Sequence, residues 1–408
     1  MRTLVIAGEY PWPEDRGSRL RLAMTLRGLR RCGPVELFSA VSKFREEFGP
    51  PDQALGLANV GRVGFDNRTP SGLGLVPSLL RPGMPIGLPW RDRILVQRAL
   101  ARFMAGRYDL VWFFGTRPWA LAGEPVFGPT ILDVDDLEDE KILARLSMPA
   151  PPPHGLLLRA RRLAATQVSE EEVRRWRRLH RRASHRATVV VCSQLDARRA
   201  TASGVRDVRV IANGYPVVAE PVGRSLVGSP PTVLFQGLLR YPPNIDAARW
   251  LAHDVGPALR QLVPDVQIRL VGEAGPEVAA LDDRPRVTVT GRVPDMVAEL
   301  ARADLVVVPV RYGSGTRLKV LEAFAQRVPV ASTTLGAEGL GGKDGIHLLL
   351  GDNASDLAAA CARLLKEPEL RQVVATRAEA LFLQRFSADV IEEDIADLAR
   401  EVAATGVR

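Results

Sequence analysis

Short apolar runs rich in Val, Ile and Leu recur along the chain, separated by stretches in which apolar residues return every three or four positions. In the first half the runs are Leu4–Ala7, Val35–Phe38, Leu110–Phe114, Thr130–Val134, Thr188–Cys192 and Val208–Ala212. In the second half they are Thr232–Phe235, Val266–Val271, Val287–Thr290, Leu305–Val310, Val328–Ser332 and His347–Leu350. Runs without in-out alternation predict strands covered on both faces, as in a parallel sheet flanked by helices. The helical period predicts helices over Arg19–Arg31, Arg91–Ala105, Ile245–Leu262, Met296–Ala303 and Leu318–Gln326. Strand-helix alternation that occurs twice predicts an α/β protein with two doubly wound, Rossmann-like domains. A Pro, Gly and Ser stretch over Ala219–Pro231 reads as the linker between them.

Composition changes this picture little. With 408 residues, 46% hydrophobic and 25% charged, disordered, collagen-like and coiled-coil classes are excluded. No apolar run reaches the roughly 18 residues of a membrane span. The apolar start, Met1 to Gly8, is too short for a signal peptide and lacks a cleavage site, so a cytoplasmic protein is expected. Cys32, Cys192 and Cys361 are too scattered for a disulfide framework or a metal cluster.

Charge is more informative. The net of +8 is unevenly spread. Residues 1–215 carry 34 basic and 22 acidic side chains, a net of +12, whereas residues 216–408 carry 21 and 25, a net of −4. Lysine occurs only at positions 43, 141, 319, 343 and 366, so a lysine within a motif carries more weight than an arginine.

In doubly wound sheets ligands bind beyond the carboxyl ends of the strands. No G-x-G-x-x-G follows the first strand and there is no Walker A loop, which argues against those two nucleotide sites. The most specific stretch runs from Ala303 to Ala325: a buried strand to Pro309, a loop with Gly313, Ser314, Gly315 and Thr316, then a helix from about Arg317. Free amides at a helix start, aided by the helix dipole, favour an anion. Lys319 in the first turn can reach a diphosphate. Glu322, one turn on along the same face, has the carboxylate that a vicinal diol needs. Together they describe a nucleotide-sugar site.

This run resembles the nucleotide-sugar-binding segment of glycosyltransferase family 4, retaining enzymes of the GT-B fold. The family's E-x7-E is incomplete: Glu322 stands at the second acid and Ser314 at the first. The chain therefore resembles the branch with G-x-G-T-R-x-K-x-L-E-A. Leu234–Asn244 resembles the opening of the donor domain, with Gly237 allowing close backbone approach, Arg240 as phosphate partner and Asn244 as a helix cap. Leu270–Glu273 and Gly291–Asp295 resemble further loops of that domain, the latter with Arg292 near the base. Ile211–Gly214 resembles the interdomain turn, and Phe386-Ser387 the start of a closing helix. The resemblance implies two domains facing across a cleft. Residues 1–218 bind the acceptor, 219–385 bind the donor, and 386–408 form a helix that returns to the first domain.

In the first half, Gly8–Arg19 follows the first strand. Gly17 and Ser18 are similar to the family's glycine loop near the donor phosphate, with Ser18 as a plain helix cap the alternative. Trp12, Arg16 and Arg19 are candidates for the acceptor pocket. Asp133-x-Asp135 reads either as a metal-binding pair or as an acceptor-side loop in which Asp135 or Asp136 orients a hydroxyl. Asp136–Glu140 equally suit an acidic first helical turn. The arginine run Arg174–Arg186 has Val173, Trp176, Leu179 and Ala183 at helical spacing, which predicts a helix with a solvated arginine face. An anionic membrane is the alternative partner, and no nucleic-acid motif accompanies it. The Gly/Pro-rich residues 68–90 read as a surface excursion, or as an acceptor or membrane-contact loop.

The expected activity is sugar transfer, with retention, from a nucleoside diphosphate to a hydroxyl acceptor, lipid-linked or anionic. The resemblance implies no metal, no other cofactor and no covalent nucleophile. Polysaccharide or cell-envelope glycan assembly, or tailoring of a secondary metabolite, is the expected setting, in the cytoplasm or at the inner membrane face. Three alternatives stand beside it: a non-transferring relative such as an epimerase or an inactive homologue, a metal-dependent transferase, and an anionic-polymer-binding protein.

Overall fold

The computed structural model describes residues 1–42, 49–50, 52–65, 80, 83–88, 90–125, 127–135, 137–147, 155–218, 230–313 and 317–405. Ser314, Gly315, Thr316 and Asp136, most of residues 68–90 and nearly all of the expected linker lie outside these described residues. The chain divides into two compact units, Met1–Asn213 with Ile391–Arg408, and Gly214–Val390.

The first unit holds a seven-stranded parallel sheet: β1 (Thr3–Ala7), β2 (Val35–Ser42), β3 (Asn59–Phe65), β4 (Leu110–Phe114), β5 (Thr130–Asp133), β6 (Thr188–Val191) and β7 (Val208–Val210). The spatial order is β3-β2-β1-β4-β5-β6-β7. The second unit holds six parallel strands: β8 (Thr232–Gln236), β9 (Gln267–Val271), β10 (Val287–Gly291), β11 (Leu305–Val308), β12 (Val330–Ser332) and β13 (Leu349–Leu350). Their order is β10-β9-β8-β11-β12-β13. The order reverses direction between β1 and β4, and between β8 and β11, the switch points at which doubly wound sheets bind ligands.

The strands form where they do because their residues have nowhere wetter to go. All of β1, β4, β8 and β11 is buried, and each lies between two neighbours with helices on both faces. Strand β3 is absent from the sequence expectation. It is an edge strand whose Asn59, Arg62 and two glycines break the apolar run, and a strand covered on one side has less reason to be uniformly apolar.

The helix expected over Ile245–Leu262 is divided. Pro242–Trp250 and Gly256–Leu262 are α-helical and Leu251–Val255 form a wider π turn between them. Pro257, which lacks an N–H, accounts for the irregularity in the turn before it. The last helix is Ala388–Thr405, and from Ile391 onward it belongs to the first unit. Arg31 pairs with Glu392 and Glu393, both at 2.8 Å, and Arg209 pairs with Glu401 at 2.8 Å.

The arginine-rich segment is the end of a 28-residue helix, Leu156–Ala183. Val173, Trp176, Leu179 and Ala183 are buried as its period predicts. Its arginine face is less free than expected. Arg175 is buried, pairs with Glu171 at 2.9 Å and donates to the Met84 carbonyl. Arg177 pairs with Asp139 and Arg182 with Glu124, each at 2.9 Å. Several arginines of the run are therefore held in place by carboxylates of the same unit. In the Gly/Pro-rich stretch, Ile86 and Leu88 are buried, and the amides of Ile86 and Gly87 donate to Glu172. That end is core, not a surface excursion. Among the described residues no helix is long and apolar enough to cross a membrane.

Candidate active site

The site in the second unit is built at the carboxyl ends of β8 and β11. Strand β8 ends at Gln236, and Gly237 follows with φ +146, a conformation that favours glycine. A Cβ there would stand 3.2 Å from both the Lys319 ammonium and the Asn244 amide nitrogen. The missing side chain is what lets those two groups close over the strand end.

Lys319 lies in the first turn of the helix Leu318–Ala325, which begins after Arg317 without a side-chain cap. The first amides of such a helix have no intrahelical partner and point at whatever binds in front of it. The Lys319 ammonium donates to Asn244 Oδ1 at 2.9 Å and lies 4.3 Å from the centre of the Phe235 ring. Burial and nearby Arg317 pull its pKa down to about 7, against the opposite pull of Glu322. A cation held in a dry site by a neutral amide gains most when an anion arrives.

Asn244 is the first correction. It does not cap its helix. Tyr241 occupies the cap position with no side-chain bond, and Asn244 sits within the first turn. Its Nδ2 donates to the Leu238 carbonyl at 2.9 Å while its Oδ1 receives Lys319, so it positions the lysine on the β8 loop.

Glu322 lies one turn further along the Lys319 helix and accepts from two groups the sequence did not suggest. The Tyr215 hydroxyl donates to Oε1 at 2.8 Å and Gln236 Nε2 donates to Oε2 at 3.4 Å. Burial raises the Glu322 pKa, against these two hydrogen bonds and Lys319. Gly313, φ +117, begins the described edge of the loop and packs beside Arg317 and Pro243. Arg240 is half exposed and its Nε pairs with Glu273 at 2.9 Å, so both residues stand at the rim. Arg292 is exposed on the loop after β10.

In the first unit the helix Gly17–Arg30 begins at Gly17, with Arg16 in the cap position, so Ser18 is a helical residue and not the cap. Trp12 is 5% exposed and meets Tyr10 edge-on at 5.2 Å. Arg19 is 4% exposed, and its Nη1 donates to the Pro13 carbonyl at 3.1 Å and to Asp15 at 3.0 Å. Both side chains are buried in this loop, and Arg19 braces it through the Pro13 carbonyl and Asp15. Arg16 pairs with Asp15 at 3.4 Å.

Asp133 is buried under Arg21, 2.8 Å away, which closes the first carboxylate of the proposed metal pair. Arg21 also donates to the carbonyls of Ile211 and Ala212 and to Asn213 Oδ1. Asp135 accepts from the Cys192 thiol at 3.1 Å and from Asn213 Nδ2 at 3.3 Å. Among the described residues no group of three or more His, Cys, Asp or Glu is set to hold a metal ion. Arg21 escaped the sequence reading because it is one arginine in an arginine-rich helix, with no local mark of its role.

Residues 230–367, most of the second unit, match the family described as Glycosyl transferases group 1. Solved structures agree in fold along the whole chain. HepE of Anabaena, in complex with UDP, is 19% identical at a TM-score of 0.65, with 98% of this chain and 100% of that one covered. Sucrose-phosphate synthase from Thermosynechococcus elongatus is 17% identical at 0.68, covering 99% and 100%. The solved structures thus show the GT-B fold, two parallel-sheet α/β domains, and the stretch similar to the group 1 glycosyl transferases, about a third of this chain, lies within the second. A curated relative, an uncharacterized 44.6 kDa protein in the cps region of Klebsiella pneumoniae, is 25% identical over 130 residues. Those residues are 30% of this chain and 34% of that protein, so the match spans about a third of the relative's length.

Proposed function

We propose that the protein transfers a sugar from a nucleoside diphosphate to an acceptor hydroxyl with retention of configuration. The observation that carries this reading is the Lys319 ammonium, held by Asn244 above Gly237 at the start of a helix and one turn from Glu322. Lys319 and the free helix amides would take the diphosphate, and Glu322 the ribose hydroxyls. Arg240, Gly237, Gly313 to Thr316, Arg317 and Arg292 would complete the donor side, and Gly17 and Ser18 are further donor-binding candidates. Asp135, Asp136 and Arg16 remain candidates for the acceptor side.

In the reaction the acceptor oxygen bonds to the anomeric carbon as the bond from that carbon to the diphosphate breaks. The acceptor proton passes to a departing phosphate oxygen on the same face of the sugar. Negative charge grows on the diphosphate, and Lys319 would stabilise it. HepE binds UDP and, in another structure, UDP-glucose, which supports a nucleotide-sugar donor and makes UDP-sugars the first to try. The setting we propose is polysaccharide or cell-envelope glycan assembly.

Incubation with radiolabelled nucleotide sugars and a panel of hydroxyl acceptors, with NMR of the product anomer, tests this directly. Transfer with the donor's own anomeric configuration is expected. Inverted product would refute retention, and an epimerised donor without transfer would refute the transferase reading.

A further inference from the structure

Tyr215 is the second residue of the second unit and its backbone is fixed on both sides. Its N–H donates to the Phe386 carbonyl at 2.9 Å, and its carbonyl accepts from the Ala388 N–H at 3.0 Å. Tyr215 and Ser387 so form a parallel bridge between the segment that opens this unit and the one that closes it. The hydroxyl reaches Glu322 from a mount that does not depend on the Glu322 helix.

An ionised carboxylate has about four lone-pair sites, two on each oxygen. Tyr215 takes one on Oε1 and Gln236 takes one on Oε2. One site remains on each oxygen, which is the demand of a vicinal diol. We propose that Tyr215 is a positioning residue that fixes Glu322 in this two-acceptor state, and that discrimination of ribonucleotides from 2′-deoxyribonucleotides depends on it. The inference rests on Glu322 being the diol acceptor.

Charge supports the geometry. Burial pushes Glu322 towards its neutral form, in which one oxygen becomes a donor and no longer suits the diol. The Tyr215 and Gln236 hydrogen bonds and the Lys319 cation oppose that shift, while Arg317 acts on Lys319. Burial and the Glu322 carboxylate hold the Tyr215 hydroxyl well above its ordinary range, so it stays a donor at any working pH.

The test is calorimetric titration of UDP, GDP and ADP and their 2′-deoxy analogues into wild type, Tyr215→Phe, Glu322→Gln and the double variant. Tyr215→Phe should weaken the preferred ribonucleotide about tenfold, the scale of a hydrogen bond to a charged group, and weaken the deoxy form less. On lowering the pH, affinity should fail at a higher pH in Tyr215→Phe than in wild type. In the Glu322→Gln background, Tyr215→Phe should change affinity by less than about twofold, because the two act as one unit. Gln236→Leu, which leaves the Tyr215–Ser387 bridge intact, should narrow the ribo/deoxy ratio in the same direction.

A Tyr215→Phe variant with wild-type affinity and ratio, or an equal loss in the Glu322→Gln background, would overturn the role of Tyr215, and an unchanged ratio in Gln236→Leu would overturn the two-acceptor account of Glu322. If no ribonucleoside diphosphate binds wild type, or Glu322→Gln binds as tightly, the diol reading of Glu322 itself is wrong.

Discussion

Removing the Lys319 ammonium is the sharpest perturbation available. Two unit charges about 4 Å apart attract by about 4 kcal/mol at an effective dielectric of about 20. Part of this is already present with the bound donor, and the rest appears as charge grows on the departing diphosphate. Lys319→Ala should then lower kcat/KM for the donor by about 10²- to 10³-fold.

The pH dependence gives an independent handle. Lys319 in the free protein has a pKa of about 7, because burial and Arg317 penalise its charge. It is cationic below that pH and neutral above it. Capture of the donor should be full on the acid side and fall as pH rises through about 7. A bound diphosphate raises the pKa, so kcat at saturating donor should hold to higher pH than kcat/KM, since the first reports the complex and the second the free enzyme. Initial rates over pH 6 to 9 with varied donor test both. A loss in Lys319→Ala below about threefold, or level profiles, would refute the assignment.

Asn244→Ala frees the Lys319 ammonium and removes one of the two hydrogen bonds that the Leu238 carbonyl accepts, leaving the one from the Tyr241 N–H. It should cost about 1–2 kcal/mol of stability and raise donor KM more than it lowers kcat, read by thermal unfolding and steady-state rates. Arg21→Ala leaves the Asp133 carboxyl buried without its guanidinium partner, and should destabilise by about 3–5 kcal/mol in urea unfolding. The double variant Arg21→Leu with Asp133→Leu should recover most of that loss.

Particular residues show what was legible beforehand and why. Lys319 and Glu322 could be seen because they are three apart on one helix, and a helix makes such neighbours a sequence-local fact. Strands β1, β4, β8 and β11 could be seen because burial on both faces demands an unbroken apolar run. Strand β3 could not, since an edge relaxes that demand. The partners of the site residues were invisible for another reason. Tyr215 meets Glu322 across 107 positions, Asn244 meets Lys319 across 75, and Arg21 meets Asp133 across 112. No periodicity links residues so far apart.

Strand position alone does not say how a side chain is held: Trp12 and Arg19 follow β1 as expected, and only the structure shows that both are buried and that Arg19 bonds to the Pro13 carbonyl and Asp15. Asn244 looked like a cap because its residue type favours that position, and the lysine it holds instead lies on another helix.

The sequence by itself determined the two parallel α/β sheets and the local chemistry of the Lys319–Glu322 turn, because apolar runs and helical spacing are written residue by residue. Only the tertiary structure decided how that chemistry is tuned. Asn244 and Gly237 set the place of the ammonium, Tyr215 and Gln236 set the free lone pairs of the carboxylate, and Arg21 closes Asp133. The strength of a buried charge depends on what surrounds it in space, and those surroundings come together only when distant segments fold against one another.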